Sequence, residues 1–166
     1  MSEQGKVLLL AGLMLGNAGC GAVGTVERHG GEVSYDRDDE VVTVRLNDSE
    51  ISDAGLGELT GLTSLKWLFL ENTQITDAGL THLQGMTRLI ELNLNQTQIT
   101  DAGLLHLKEL PRLKKLDVSH TEVTRAGIED LKEALPRCEV TAEGLDGEEA
   151  TDAAGGPRAS GSPYGR

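Results

Sequence analysis

Apolar residues recur along residues 41–136 in a pattern that returns every 24 positions. Counted from the first apolar residue of each block, they fall at positions 1, 4, 6, 11, 16 and 19, and in most blocks at 22. In the second block these are Leu65, Leu68, Leu70, Ile75, Leu80, Leu83 and Met86. In the third they are Leu89, Leu92, Leu94, Ile99, Leu104, Leu107 and Leu110. Four blocks result: 41–64, 65–88, 89–112 and 113–136. Positions 4 and 6 are two apart and share one face of a strand. Positions 16 and 19 are three apart and share one face of a helix. Between them, Ser52, Thr76, Thr100 and Thr124 at position 12 offer an oxygen to the free N–H groups of a helix start. Asp53, Asp77 and Asp101 follow, at the positive end of the helix dipole. Each block is therefore predicted to be a strand, a turn and a helix of about two turns. One such unit leaves its apolar face uncovered, whereas stacked units cover one another.

The strings S-D-A-G-L (Ser52–Leu56), T-D-A-G-L (Thr76–Leu80 and Thr100–Leu104) and T-R-A-G-I (Thr124–Ile128) mark the repeat. With Leu65-x-x-Leu68-x-Leu70-x-x-Thr73-x-Ile75 and its copies, they make residues 41–140 resemble a leucine-rich repeat protein. The nearest variety is the T-D-A-G-L type of exported bacterial proteins, related to F-box-linked and ribonuclease-inhibitor-like repeats. The resemblance implies an α/β solenoid of four 24-residue units with a parallel, concave sheet. Ser49, Thr73, Thr97 and Thr121 stand where many such repeats carry Asn, and read as a hydroxyl ladder bonded to the loop backbone.

The flanks read as covers for the end layers of the solenoid. Residues 20–40 form the N-terminal cap. In it, Ala22–His29 is a short helix with Val23 and Val26 inward, Gly30-Gly31 breaks it, and Glu32–Asp36 is a strand with Val33 as its plug. Asp36, Asp38, Asp39 and Glu40 read as a solvated turn, lacking the Gly and the twelve-residue spacing of a calcium loop. Leu135–Val140 resembles the closing strand of the family, with Cys138 as a small buried apolar residue. Residues 141–166 are Gly-, Ala-, Ser- and acid-rich, which predicts a disordered tail.

Residues 1–19 read as an export signal. Val7–Gly16 is an apolar run of ten, too short to span a bilayer as a helix. It leads into Asn17-Ala18-Gly19-Cys20, which resembles a lipoprotein cleavage site and implies that Cys20 carries the lipid. Asn17 and Glu3 depart from that pattern, so plain secretion and a cytoplasmic location stand as alternatives to a membrane-anchored lipoprotein of the cell envelope.

Charge and composition narrow the function. Fifteen Lys+Arg against 27 Asp+Glu give −12, with no basic stripe for phosphates, so nucleic acid is excluded as a partner. Two Cys residues are too few for a disulfide framework or a thiolate-rich zinc site. His82 and His106, both at position 18, stack on the outer helical face without a third ligand. Gly55, Gly79, Gly103 and Gly127 at position 15 read as tight strand-to-helix packing, not as a phosphate loop. No enzyme activity, metal or cofactor is expected.

Positions 3, 5 and 7 alternate with the buried leucines and point to the concave face. Across the units these are Thr43, Trp67, Glu91 and Lys115; then Arg45, Phe69, Asn93 and Asp117; then Asn47, Glu71, Asn95 and Ser119. The one Trp and the one Phe of the chain, Trp67 and Phe69, thus lie side by side, with Arg45, Glu91 and Asn93 on the adjacent strands. Aromatics ringed by charge have the composition of a binding hot spot. The sequence therefore predicts a monomeric protein-interaction module, touching a membrane only through a lipid on Cys20. A passive envelope spacer is the second reading and a ubiquitin-ligase-type adaptor the third.

Overall fold

The computed structural model describes residues 19–144. The expected export signal up to residue 18 and the expected tail from residue 145 lie outside the described residues. Six strands form one sheet in chain order: β1 (Glu32–Tyr35), β2 (Val41–Arg45), β3 (Trp67–Phe69), β4 (Glu91–Asn93), β5 (Lys115–Asp117) and β6 (Glu139–Thr141). β1 is antiparallel to β2, and every later pair is parallel. Thr43, Trp67, Glu91, Lys115 and Glu139 are successive partners, so the sheet register has the 24-residue period of the sequence.

The connections are short helices: α2 (Asp53–Gly57), α3 (Asp77–Leu80), α4 (Asp101–Leu107) and α5 (Arg125–Ala134). α3 tightens into a 3₁₀ turn at Thr81–Leu83. The repeat positions named for the second and third blocks are buried without exception, and one core runs from Ala22 to Cys138, with Val23 and Val33 of the cap only partly buried against it. The hydroxyl ladder is equally regular. Ser49, Thr73, Thr97 and Thr121 each donate to the carbonyl three residues back, at 2.6 to 2.7 Å. These bonds brace the turn that follows each strand, where Asp48, Asn72, Gln96 and His120 adopt left-handed backbone angles.

The cap differs in detail from its expected form. α1 (Gly19–Arg28) begins earlier, and its buried stripe is Ala22 and Val26, four residues apart, with Val23 only half-buried. Asp36 accepts from the backbone N–H groups of Asp38 and Glu40, which closes the acidic turn and holds its carboxyl below the usual range. At the other end, Thr141 pairs with Asp117, and Glu143 O accepts from the His120 N–H. Ordered backbone thus continues to Gly144, past the residue at which the tail was expected to start.

Cys138 is buried, and burial pushes its thiol up to about 11. Since the thiolate is the reactive form, iodoacetamide at pH 8 should modify Cys138 at a small fraction of its rate in the urea-unfolded chain. Mass mapping of the alkylated peptides reads this out. Equal rates in both states would mean that the closing strand is open in solution.

Candidate interaction surface

Why three of the four units carry Asp-Ala-Gly becomes clear where the helices stack. Thr76, Thr100 and Thr124 cap their helices as the spacing predicts. The first two accept from the second helical N–H, and Thr124 accepts from the third. The Asp of the preceding unit adds a second link. Asp53 accepts from Thr76 N (2.9 Å) and Thr76 Oγ1 (2.6 Å). Asp77 does the same with Thr100 (2.8 and 2.6 Å), and Asp101 with Thr124 (2.8 and 2.7 Å). Each carboxylate thereby fixes the hydroxyl rotamer of the next cap. Ser52 has no Asp behind it and makes no side-chain cap bond.

The Gly residues at position 15 belong to this ladder. A Cβ at Gly79, Gly103 or Gly127 would overlap Oδ1 of Asp53, Asp77 or Asp101 respectively. Strand-to-helix packing, the sequence-based reading, is therefore corrected. The bare Cα makes room for the carboxylate of the preceding unit. Only Gly55 fits the simpler account, with Ile51 as its nearest neighbour.

On the sheet face the outward positions form rows one strand apart. Trp67 and Phe69 are partly buried on β3, flanking the buried Leu68. The Arg45 guanidinium sits over the Phe69 ring at 5.3 Å from its centroid. The Lys66 ammonium sits over Trp67 at 5.9 Å. Both geometries are those of cation–π pairs. Lys66 was not among the residues singled out from the sequence, because its position precedes the alternating stretch. It also reaches Asp36 of the cap turn at 4.0 Å.

Glu91 and Asn93 stand beside Trp67 and Phe69 in the register, and Arg45 beside Phe69 on the other side. The five expected contact residues thus occupy three adjacent strands. Two outward positions are less open than the alternation implies. Thr43 is buried at 8% between Ser34 and Trp67 of the neighbouring strands. Ser119 is buried at 3%, and its Oγ accepts from Glu143 N where the chain runs past it. A groove of about 260 Å³ crosses β4, β5 and β6, lined by Glu91, Asn93, Lys115, Asp117, Glu139 and Thr141, and its first strand pairs with the one that carries Trp67 and Phe69.

His82 and His106 lie on the helical side, with Gln84 Nε2 at 3.4 Å from His106 Nδ1. Among the described residues, no three His, Cys, Asp or Glu side chains gather as metal ligands. Cys20 falls in the first turn of α1. No helix of the described residues is long and apolar enough to cross a membrane.

Residues 63–123 match the family model described as leucine rich repeat. No curated protein matches the sequence. Among solved structures, the actin-binding site 2 of leiomodin-1 is similar at 19% identity, covering 75% of this chain and 78% of that one, with a TM-score of 0.50. Internalin C2 from Listeria monocytogenes is similar at 19% identity, covering 77% of this chain and 64% of that one, with a TM-score of 0.44. A second Listeria monocytogenes internalin matches at 19% identity and a TM-score of 0.43, over 60% of this chain. The chain spans 34% of the length of that internalin. The family match falls within the stretch whose strands, core leucines and hydroxyl ladder share one 24-residue register, so residues 63–123 are similar to a leucine rich repeat and the described residues take the leucine-rich repeat fold.

Proposed function

We propose that this protein is a non-enzymatic protein-interaction module that engages its partner with the concave face, through Trp67 and Phe69 with Arg45, Glu91 and Asn93. One observation carries the reading. The chain's one Trp and one Phe are spent side by side on the outer face of the sheet, and the core is complete without them. Large aromatics and Arg at the centre of a surface are the residues that dominate binding energy. The leiomodin-1 structure of similar fold is by its description an actin-binding site, which agrees with a protein partner.

The experiment compares wild type with Trp67→Ala/Phe69→Ala. Each substitution should cost roughly 1 kcal/mol of folding stability, because it removes a surface ring and its cation contact. Each should weaken partner binding by about 2 kcal/mol or more. Thermal melts and affinity capture from the native host, run in parallel, separate the two effects. An identical set of captured proteins for both forms would favour a passive envelope spacer.

We further propose that the protein is exported and lipid-anchored at Cys20, on the strength of the apolar run Val7–Gly16 and the small residues before the Cys. Expressed in a bacterium with a lipoprotein pathway, the wild type should partition into membranes and Cys20→Ser should be released. A soluble cytoplasmic product retaining Met1 would end this proposal.

A further inference from the structure

The concave face is graded in charge from strand to strand. On the β2–β3 side the two cations, Arg45 and Lys66, are drawn over the aromatic rings. On the β4–β6 side the groove carries three carboxylates, Glu91, Asp117 and Glu139, against one ammonium, Lys115. None of these four groups takes part in an ion pair among the described residues, whose pairs are Arg28–Glu58, Lys66–Asp36 and Lys108–Asp130. Asp117 uses one oxygen to accept from the Ser119 N–H, at 2.9 Å, and nothing among the described residues takes up the surplus negative charge of the groove. An apolar platform thus adjoins an anionic trough that lacks its counter-charge.

The spacing converts this gradient into a partner chemistry. Phe69 and Asp117 occupy the same row two strands apart, which is about 10 Å at the usual strand separation. A peptide crossing the strands in the polyproline II form rises about 3.1 Å per residue with three residues per turn, so three residues cover about 9 Å and bring the side chain back to the same face.

We propose that the partner presents a polyproline II segment with an apolar side chain on Trp67 and Phe69 and a Lys or Arg three residues away, in the trough between Glu91, Asp117 and Glu139. This rests on the reading of the concave face as the binding surface. Complementary charge fixes the register of the segment and rejects acidic competitors, while the aromatic pair supplies the buried contact.

The test uses the immobilised full chain to select from a random 12-residue peptide display library. The selected sequences are then remade as synthetic peptides and titrated by the fluorescence of Trp67, the one Trp in the chain. Selected peptides should carry an apolar residue and a Lys or Arg three positions apart. Replacing that cation by Glu should weaken binding by about tenfold or more, less so at high salt. Asp117→Asn/Glu139→Gln should erase the preference, and Asn at 117 keeps an oxygen for the Ser119 N–H. Lys115→Gln should sharpen the preference, so the idea remains testable if the double variant unfolds.

Peptides bound by wild type and lost on Trp67→Ala/Phe69→Ala, yet indifferent to the cation, would overturn this inference and leave the interaction surface standing. Equal selection by wild type and the double aromatic variant would overturn both. Sedimentation supplies the remaining outcome. A dimer dispersed by the aromatic substitutions would make a second copy the occupant and would likewise overturn the inference.

Discussion

Gly103→Ala should destabilise the protein by about 2–4 kcal/mol, although alanine is the better helix former by about 1 kcal/mol. The added methyl group would take the place of Asp77 Oδ1 and would also meet Ile99 Cγ2 at 3.0 Å. Asp77 would have to swing away and give up both of its bonds to Thr100, at 2.8 and 2.6 Å. Charge-assisted bonds of this kind are worth roughly 1.5–3 kcal/mol each, less the part that water restores at a half-exposed site. A double-mutant cycle makes the cause explicit. Asp77→Ala alone should also destabilise, by about 1–3 kcal/mol, because it strands the Thr100 donors. In the Asp77→Ala background, Gly103→Ala should be nearly neutral or stabilising, since the obstructing oxygen is gone. Urea melts of the four proteins give the coupling. Simple additivity would show that the Gly and the Asp do not constrain one another.

A loss of about 2–5 kcal/mol is expected for Leu92→Ala, which empties a fully packed site on the central strand β4. Leu59→Ala is the informative comparison. Leu59 is as buried as Leu92, at 0% and 1% exposure, so a single undivided core predicts equal losses. A stack of nearest neighbours predicts a smaller loss near the end, because the first unit and its cap open with fewer interfaces broken. Hydrogen exchange should show the same order, with amides of β4 slower than those of β1. Equal losses would contradict the stack.

The regular parts of this structure were legible because the contacts that define them repeat at fixed intervals. The core leucines follow from spacings of two and three. The hydroxyls of Thr73 and Thr97 bond three residues back, within one turn. What was not legible joins different units. Asp77, Thr100 and Gly103 look like three independent local choices until stacking brings residues 23 and 26 apart together. The sequence did hold a signal, for Asp follows the cap in the three units that have a successor, and Arg125 replaces it in the fourth. The surface rows were legible by alternation, but Thr43 and Ser119 are covered by neighbours whose positions the period does not supply. The cation over each ring was half foreseen. Arg45 lies one register step from Phe69, whereas Lys66 precedes Trp67 in the chain itself.

The carboxylate-to-threonine link also gives the array a grammar for growth. Each link runs one way, from the Asp of one unit to the Thr of the next. A duplicated block of 24 residues inserted between Asp53 and Thr124 would bring a new Asp and a new Thr in phase, and every joint would close as before. A block appended after the fourth unit would meet the guanidinium of Arg125 where its threonine needs an acceptor. Lengthening by duplication is therefore an interior event in this protein, and the fourth unit is written as a full stop.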